Sequence, residues 1–332
     1  MSKLHVILVA TVTALLLAGC SPTLKLFPDA RDPLGEYVLQ GDGEEKILVI
    51  PVNGTITDSP KQKALRSQPG TVRTVVSHLK KAEEDEDIKA VILKIDSPGG
   101  PVTAADMLYH ELMAYKRRTG AKVVAAMMDL AASGGYYVAL PADHILAHPT
   151  TVTGSVGVVF VRPAVTGLMN KIGIDVNAYT TGKNKDMGSP FRDITPEEQA
   201  IIQGLIDDLG DRFLKLVARH RNMDAAALEK VATARVFLGP QAKELGLVDE
   251  IGYLSDAVDR AKSLAGLPDN AQVVIYRRTE YPEDNIYNSA ALDYDDGGYP
   301  SAYSMIQVAF PNFLPAWKAG FQYLWYPGAD IE

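Results

Sequence analysis

The chain has 332 residues, long enough for one large domain or two ordinary ones. Its 47% hydrophobic and 22% charged residues sit at globular averages, which argues against intrinsic disorder, a collagen-like repeat and a polytopic membrane protein. A net charge of -8 argues against a nucleic-acid partner, because phosphate binding needs a basic face, and a single cysteine leaves no disulfide framework and no thiol-rich zinc site.

The first twenty residues read as a secretory signal: Lys3, an apolar run from Val6 to Leu17, then Ala18-Gly19-Cys20. The run is too short for the roughly 20 residues a membrane-spanning helix needs. Leu17-Ala18-Gly19-Cys20 resembles the bacterial lipobox, which implies cleavage before Cys20 and acylation of its thiol. Several acyl chains together hold a protein on a membrane where one does not. Such an anchor implies a periplasm-facing lipoprotein of the cell envelope. Ser21 rather than Asp after the cysteine points, by the sorting rule of diderm bacteria, to the outer membrane more than the inner.

Residues 20–45, rich in Pro, Gly and Asp, read as a lipidated tether. A folded domain is then expected over 46–267. Ile47 to Val52 is a buried strand, Val72, Val75, Val76 and Leu79 lie at helical spacing, and Ala90 to Ile95 is a second strand. Thr103 is placed to cap a helix running to Tyr115 with Met107, Leu108, Leu112 and Met113 as its apolar stripe, and Lys122 to Met128 is a third strand. Repeated strand-helix-strand units imply an α/β fold with a parallel or mixed sheet. Further on, Thr195-Pro196-Glu197-Glu198 is a capping-box helix start. The helix it opens carries Ile202, Leu205, Ile206, Leu209, Phe213 and Leu216. Helices from Asp224, from Pro240 to Leu245 and from Ser255 to Ala265 complete a helical C-terminal part. Gln272 to Tyr276 reads as a strand, and the aromatic remainder of 268–332 as a tail packed on the body or a neighbour.

Two segments could carry acyl chemistry. Asp96-Ser97-Pro98-Gly99-Gly100-Pro101 follows the second strand, and its glycines let main-chain N–H groups approach a ligand, although the same residues make an ordinary turn. Ala131-Ala132-Ser133-Gly134-Gly135 follows the third strand and sets a serine at a strand-to-helix junction among small residues, as a nucleophile or as a helix cap. His78, His110 and His220 fall on helices without a motif, and His144 and His148 flank a strand end. Thr181 to Pro190 offers Lys183 and Lys185 instead, and a lysine serves as a base when burial lowers its pKa.

Asp96 to Pro101, Ala131 to Tyr137, Thr153-Gly154-Ser155-Val156-Gly157 and Gly182-x-x-Lys185-Asp186, with Arg235-Val236-Phe237 and Leu245 to Asp249 behind them, resemble the signal peptide peptidase A family of serine proteases, peptidase family S49, in its short single-repeat form. The resemblance covers Ile47 to Leu267. It implies a fold similar to Clp protease and crotonase, built of ββα units, and a Ser/Lys dyad with Ser133 as nucleophile and Lys185 as base, Lys183 being the rival. Gly134 with Gly99 or Gly100 would hold the oxyanion, and Ser155 would shape the site or orient Lys185. No cofactor and no metal are implied. In short members of the family neighbouring subunits of a ring assemble the dyad, which implies a homo-oligomer. The substrates implied are membrane-associated or unfolded peptides such as remnant signal peptides, and Val158 to Val161 would pair with an extended peptide beside small apolar pockets. Three other readings compete: a Ser-His-Asp peptidase of the Clp type, a crotonase-like acyl-CoA enzyme, and a non-catalytic envelope scaffold on the same fold.

Overall fold

The apolar run at 47–52 forms strand β2 (Lys46–Asn53), and every residue from Ile47 to Val52 is buried. Burial on both faces is the mark of an interior strand of a parallel sheet covered by helices on each side. The computed structural model describes residues 33–63, 66–281, 284–288 and 321–325.

In chain order the elements are β1 (Gly35–Gln40), β2, β3 (Lys61–Lys63), β4 (Arg66–Gln68), α1 (Thr71–Glu83), β5 (Ile88–Ser97), β6 (Gly99–Pro101), α2 (Val102–Thr119), β7 (Lys122–Ala132) and α3 (Gly134–Ala139). There follow β8 (His144–Ala147), β9 (Val152–Gly154), β10 (Val159–Phe160), α4 (Thr166–Ile172), α5 (Pro196–Arg221), α6 (Ala225–Ala232), β11 (Val236–Leu238), α7 (Gly239–Glu244), β12 (Glu250–Ile251), α8 (Leu254–Ala265), β13 (Gln272–Arg277) and β14 (Phe321–Leu324). The main sheet runs β1-β13-β2-β5-β7-β8-β12, with β9 paired to the far end of β7 and β11 to β9. All its pairs are parallel except β1 with β13 and β11 with β9. The sheet is the α/β arrangement expected of a Clp-like fold.

The period of two along each strand divides the core. Leu48, Ile50, Val91, Leu93, Val123 and Ala125 face a cluster completed by α1, α2 and α3. Ile47, Val49, Ala90, Ile92, Val124 and Ala126 face Leu254, Ala257, Val258 and Ala261 of α8. Lys94, next on the second face, is buried and donates to the carbonyls of Ile286 and Tyr287 at 3.1 and 3.0 Å. Those carbonyls meet the ammonium's hydrogen-bonding needs where no carboxylate is in contact.

Four expectations change. The segment read as tether contains β1, which pairs antiparallel with β13 from Gly35 to Gln40, so the domain takes in residues before 46 and, through β13, residues beyond 267. Helix α2 begins after Pro101, and no side chain caps it; the fixed φ of proline, not Thr103, sets its start. Its buried stripe is Ala104, Ala105, Leu108, Leu112 and Tyr115, and Met107 is exposed, because alanines give the close approach that α1 and α3 require. In α5, whose Thr195 capping box forms as read, the buried apolar residues are Ile202, Phe213, Leu216 and Val217, while Leu205 faces outward. No helix among the described residues is long and apolar enough to cross a membrane.

His78 on α1 is fully buried against Tyr276 with neither ring nitrogen hydrogen-bonded, and burial pushes its pKa down to about 4. The unfolded chain, with an ordinary imidazole near 6.5, therefore binds the proton more readily, and folding stability falls as pH drops from about 6.5 towards 4. At 1.36 kcal/mol per pH unit this costs about 3 kcal/mol across the window. His78→Leu should flatten the loss of stability between pH 7 and 4.5 in urea titrations; an equally steep loss in the variant would show that other groups carry it.

Candidate active site

Strand β7 carries the site at its end. Its residues Leu130, Ala131 and Ala132 pair in parallel with Val152, Thr153 and Gly154 of β9, and the N–H of Ser133 continues the ladder to the Gly154 carbonyl at 2.8 Å. Ser133 then turns with φ 53° and ψ -115°, a left-handed backbone that a residue with a Cβ adopts at a cost, and α3 begins on the next residue. Its carbonyl accepts the Tyr137 N–H at 2.9 Å, so both main-chain groups are fixed. The side chain caps nothing: Oγ is buried and has no hydrogen-bond partner. Of the two sequence readings of Ser133, the helix cap is thus the one the geometry drops.

The glycine turn lies alongside. Gly54 accepts Ser97 Oγ–H at 2.7 Å, and the same oxygen accepts the Gly99 N–H at 3.1 Å. The Gly99 carbonyl accepts from Ile56 at 2.9 Å. Both polar groups of Gly99 are consumed, and its φ of +99° turns the chain so that Gly100 presents its edge to the neighbouring strand. A Cβ on Gly99 would stand 2.6 Å from the Gly134 nitrogen, and one on Gly134 3.1 Å from the Gly100 nitrogen. The amides of Gly100 and Gly134 thus converge beside Ser133, and Gly99 is the hinge between them. The sequence reading names Ser97 only as a member of the glycine segment; its hydroxyl proves to be what ties the Gly99 amide to the Gly54 carbonyl.

Ser155 follows Gly154 as Ser133 follows Ala132, so parallel register places the two serines side by side. Ser155 too has positive φ, 51°, with its N–H bonded to the Arg235 carbonyl at 2.9 Å. Lys185 is not brought to Ser133 within one chain: it is exposed, and Ser133 Oγ has no partner. Its segment is held by Arg192, which bonds Asp186 at 2.8 Å and Glu198 at 2.9 Å. The rival Lys183 is paired with Glu197 at 2.7 Å on the surface. The histidines are engaged elsewhere, His144 with Glu250 at 3.0 Å, His148 with Thr150 at 2.8 Å and His220 with Tyr109 at 2.8 Å, while His78 lies on α1 and His110 is exposed.

A second, three-stranded sheet spans the site in the order β10-β14-β6. The strand expected near Val158 to Val161 forms as β10, and its partner is the chain's own β14, antiparallel on both edges. Tyr323 pairs with Gly100, and the Trp325 N–H donates to the Pro98 carbonyl at 2.9 Å. The Tyr323 side chain is fully buried between Tyr137 and Phe213.

The Clp protease family profile matches residues 66–156, which carry the glycine turn and Ser133, and the profile of peptidase family S49 matches residues 115–268. A relative from Enterococcus faecium named for signal peptide peptidase A is 36% identical over 253 residues, covering 76% of this chain and 73% of that one. Protease 4 of Haemophilus influenzae is 33% identical over 260 residues, 78% of this chain and 41% of its own greater length. The chloroplastic serine protease SPPA of Arabidopsis thaliana is 34% identical over 237 residues, 70% of this chain and 34% of that one. With relatives 33–36% identical over at least 70% of its length and both profiles matched in order, the chain belongs to the signal peptide peptidase A family, peptidase family S49, and has its Clp-like fold.

Proposed function

We propose that this serine peptidase works through Ser133 and Lys185, with Lys185 delivered by a neighbouring copy of the chain. The observation that carries the reading is the Ser133 hydroxyl, buried and unpartnered on a strained turn beside the convergent Gly100 and Gly134 amides. A buried hydroxyl without a partner costs free energy, and a strained backbone adds to it, so the arrangement is suited to a group that acts rather than one that braces. Lys185 Nζ would take the proton from Ser133 Oγ as that oxygen attacks the peptide carbonyl. The developing oxyanion would lie against the Gly100 and Gly134 N–H groups. Return of the proton to the leaving amine gives the acyl-enzyme, and water activated by the same amine releases the acid.

The case for a second copy rests on two features. Lys185 is exposed in one chain, whereas a general-base lysine works in a desolvated setting, and burial against another surface would supply that setting. The segment that carries it also exposes Leu168, Ile172, Ile174, Val176, Tyr179 and Phe191, with Tyr179 96% exposed. Apolar side chains gathered on one segment mark an interface. Ser155, beside the nucleophile, would orient the incoming lysine.

Cys20 and the residues before it lie outside the described residues; we assign Cys20 as the lipid attachment point of a cell-envelope enzyme facing the periplasm, on the outer membrane by the Ser21 rule. Removal of 19 residues leaves 332 − 19 = 313. The substrates would be membrane-associated or unfolded peptides, among them remnant signal peptides.

Ser133→Ala and Lys185→Ala should each abolish hydrolysis of an unstructured protein, while His148→Ala retains it. Mixing the two inactive variants during assembly should restore activity up to about a quarter of wild type, since a competent site then needs one intact residue from each of two neighbours. No restoration would place the lysine in the same chain as its serine. Gly99→Ala would put a methyl 2.0 Å from the carbonyl position held by Tyr323, so kcat/KM should fall at least about 100-fold, the scale of losing an oxyanion donor. Near-normal turnover in that variant would mean the acyl carbonyl sits elsewhere.

A further inference from the structure

Lys185 stands on a segment, 182–193, that contains no helix or strand, yet a general base must come within hydrogen-bond distance of the oxygen it deprotonates. Turns give the segment its local shape: the N–H groups of Lys185, Met187 and Ser189 donate to the carbonyls of Gly182, Asn184 and Asp186 at 3.0, 3.2 and 2.9 Å. Such turns hold a contour and not a place. What places the segment on the body is charge.

Asp186, the residue after Lys185, gives both carboxylate oxygens to one guanidinium, for Arg192 Nε and Nη2 donate to them at 2.8 Å each. The same guanidinium donates from Nη1 to Glu198 at 2.9 Å and from Nη2 to the other Glu198 oxygen, and Nη1 also meets the Asp193 carbonyl at 3.0 Å. All five N–H groups of the arginine are thus used on two carboxylates and its own turn. Glu198 is buried in the first turn of α5, where it also accepts the Thr195 N–H at 2.9 Å and completes the capping box. The arginine draws the Glu198 pKa down to about 2 and holds Asp186 below the usual carboxylate range, so both stay charged at neutral pH. The line of contacts Thr195–Glu198–Arg192–Asp186 ends one peptide bond from Lys185 and starts on a helix whose Phe213 and Val217 are fully buried.

A second arginine closes the other side. Arg162, two residues beyond β10, donates from Nε to the Ser189 carbonyl at 2.9 Å and from Nη2 to the Arg192 carbonyl, and the Val165 N–H donates to Pro190 at 2.9 Å. The main chain on either side of Phe191 is thereby fixed, which sets the base of the Arg192 side chain as well as its tip. By contrast, Lys183 meets Glu197 with both side chains more than half exposed, a pair of the kind that contributes little. A guanidinium fork gripping two carboxylates resists rotation where a single ion pair would let the turn swing.

We propose that Arg192 is the positioning residue of the Ser/Lys dyad, acting through Asp186 to hold the Lys185 turn against the first turn of α5 so that the lysine projects in one direction towards the serine it serves. The inference deepens the peptidase reading and rests on it for the role of Lys185. What it adds is the means by which a side chain exposed in one chain is made precise. A misplacement of about 1 Å in such a group costs about 100-fold in rate.

In the full chain, Asp186→Ala and Arg192→Ala should each lower kcat on an internally quenched peptide at least about 100-fold with KM within about two-fold, the signature of a group that acts after substrate is bound. Glu197→Ala, which frees Lys183 on the same segment, should leave kcat within about two-fold. Added guanidinium ion should return at least about ten-fold of the lost kcat to Arg192→Ala and none to Asp186→Ala, which lacks the carboxylate and not the cation. If Arg192→Ala folds poorly because Glu198 is left buried without its partner, Asp186→Ala still decides the matter, since Arg192 and Glu198 remain paired in it. Copies mixed during assembly show which half of the site is damaged. Asp186→Ala with Ser133→Ala should recover up to about a quarter of wild-type activity, and Asp186→Ala with Lys185→Ala none, because the defect travels with the lysine. Recovery in the second mixture and not the first would put the defect on the serine and overturn the proposal. Recovery in neither puts serine and lysine in one chain, and the kcat loss with its guanidinium rescue then carries the proposal. Wild-type kcat in Asp186→Ala beside an inactive Lys185→Ala would sink the clamp and keep the dyad. Hydrolysis by Lys185→Ala would sink the dyad, and with it the base to be placed.

Discussion

The parallel register of β7 against its neighbours is the constraint on which the rest depends. One strand pairs with β5 on one side and, on the other, with β8 along its first half and β9 along its last three residues. Because Ala132 is opposite Gly154, the chain must leave the sheet at Ser133 and Ser155 together, and because Ser97 is opposite Ala131, the glycine turn leaves beside them. Three strand ends thus deliver a hydroxyl, a second hydroxyl and a row of amides to one place. A one-residue slip in any pair would turn the affected side chains to the other face of the sheet.

Main chain, not side chains, makes the receiving half of this site, and that explains its demand for small residues. Gly135 packs so tightly on Ser97 that a Cβ would lie 2.6 Å from its carbonyl oxygen, and Gly100 stands equally hard against the Ile56 carbonyl, at 2.0 Å. Neither contact bears on chemistry directly. Both fix the positions of the amides proposed to receive the oxyanion. Ser97 does similar work from beneath: by satisfying the Gly99 N–H it leaves the Gly100 N–H as the one that faces outward.

What was legible in the sequence follows the same division. Ile47 to Val52 and Ala90 to Ile95 announce a doubly covered sheet because burial on both faces writes a continuous apolar run. Thr195 announces a helix because capping is local. Ser133 and Gly134 stand out because a strand that ends in Ala-Ala-Ser-Gly-Gly has no packing side chains to offer. Strand β1 was hidden among Pro, Gly and Asp: only Tyr37 and Leu39 alternate inward, too few for period two to register, and its partner β13 lies more than 230 residues away. Lys185 was legible as a motif and not as a geometry, since within the chain its side chain stands exposed and apart from Ser133.

Tyr323 had no local signal at all, and the reason is physical. Strand β14 is four residues long and pairs with two equally slight partners, one of two residues and one made of Gly-Gly-Pro. No propensity scale would assign such a sheet. It is held instead by one side chain buried among aromatic rings and by main-chain pairing with β6 and β10. The strand declares itself only through the packing of Tyr323, 190 residues distant from Ser133 in the chain and in contact with the helix that follows Ser133.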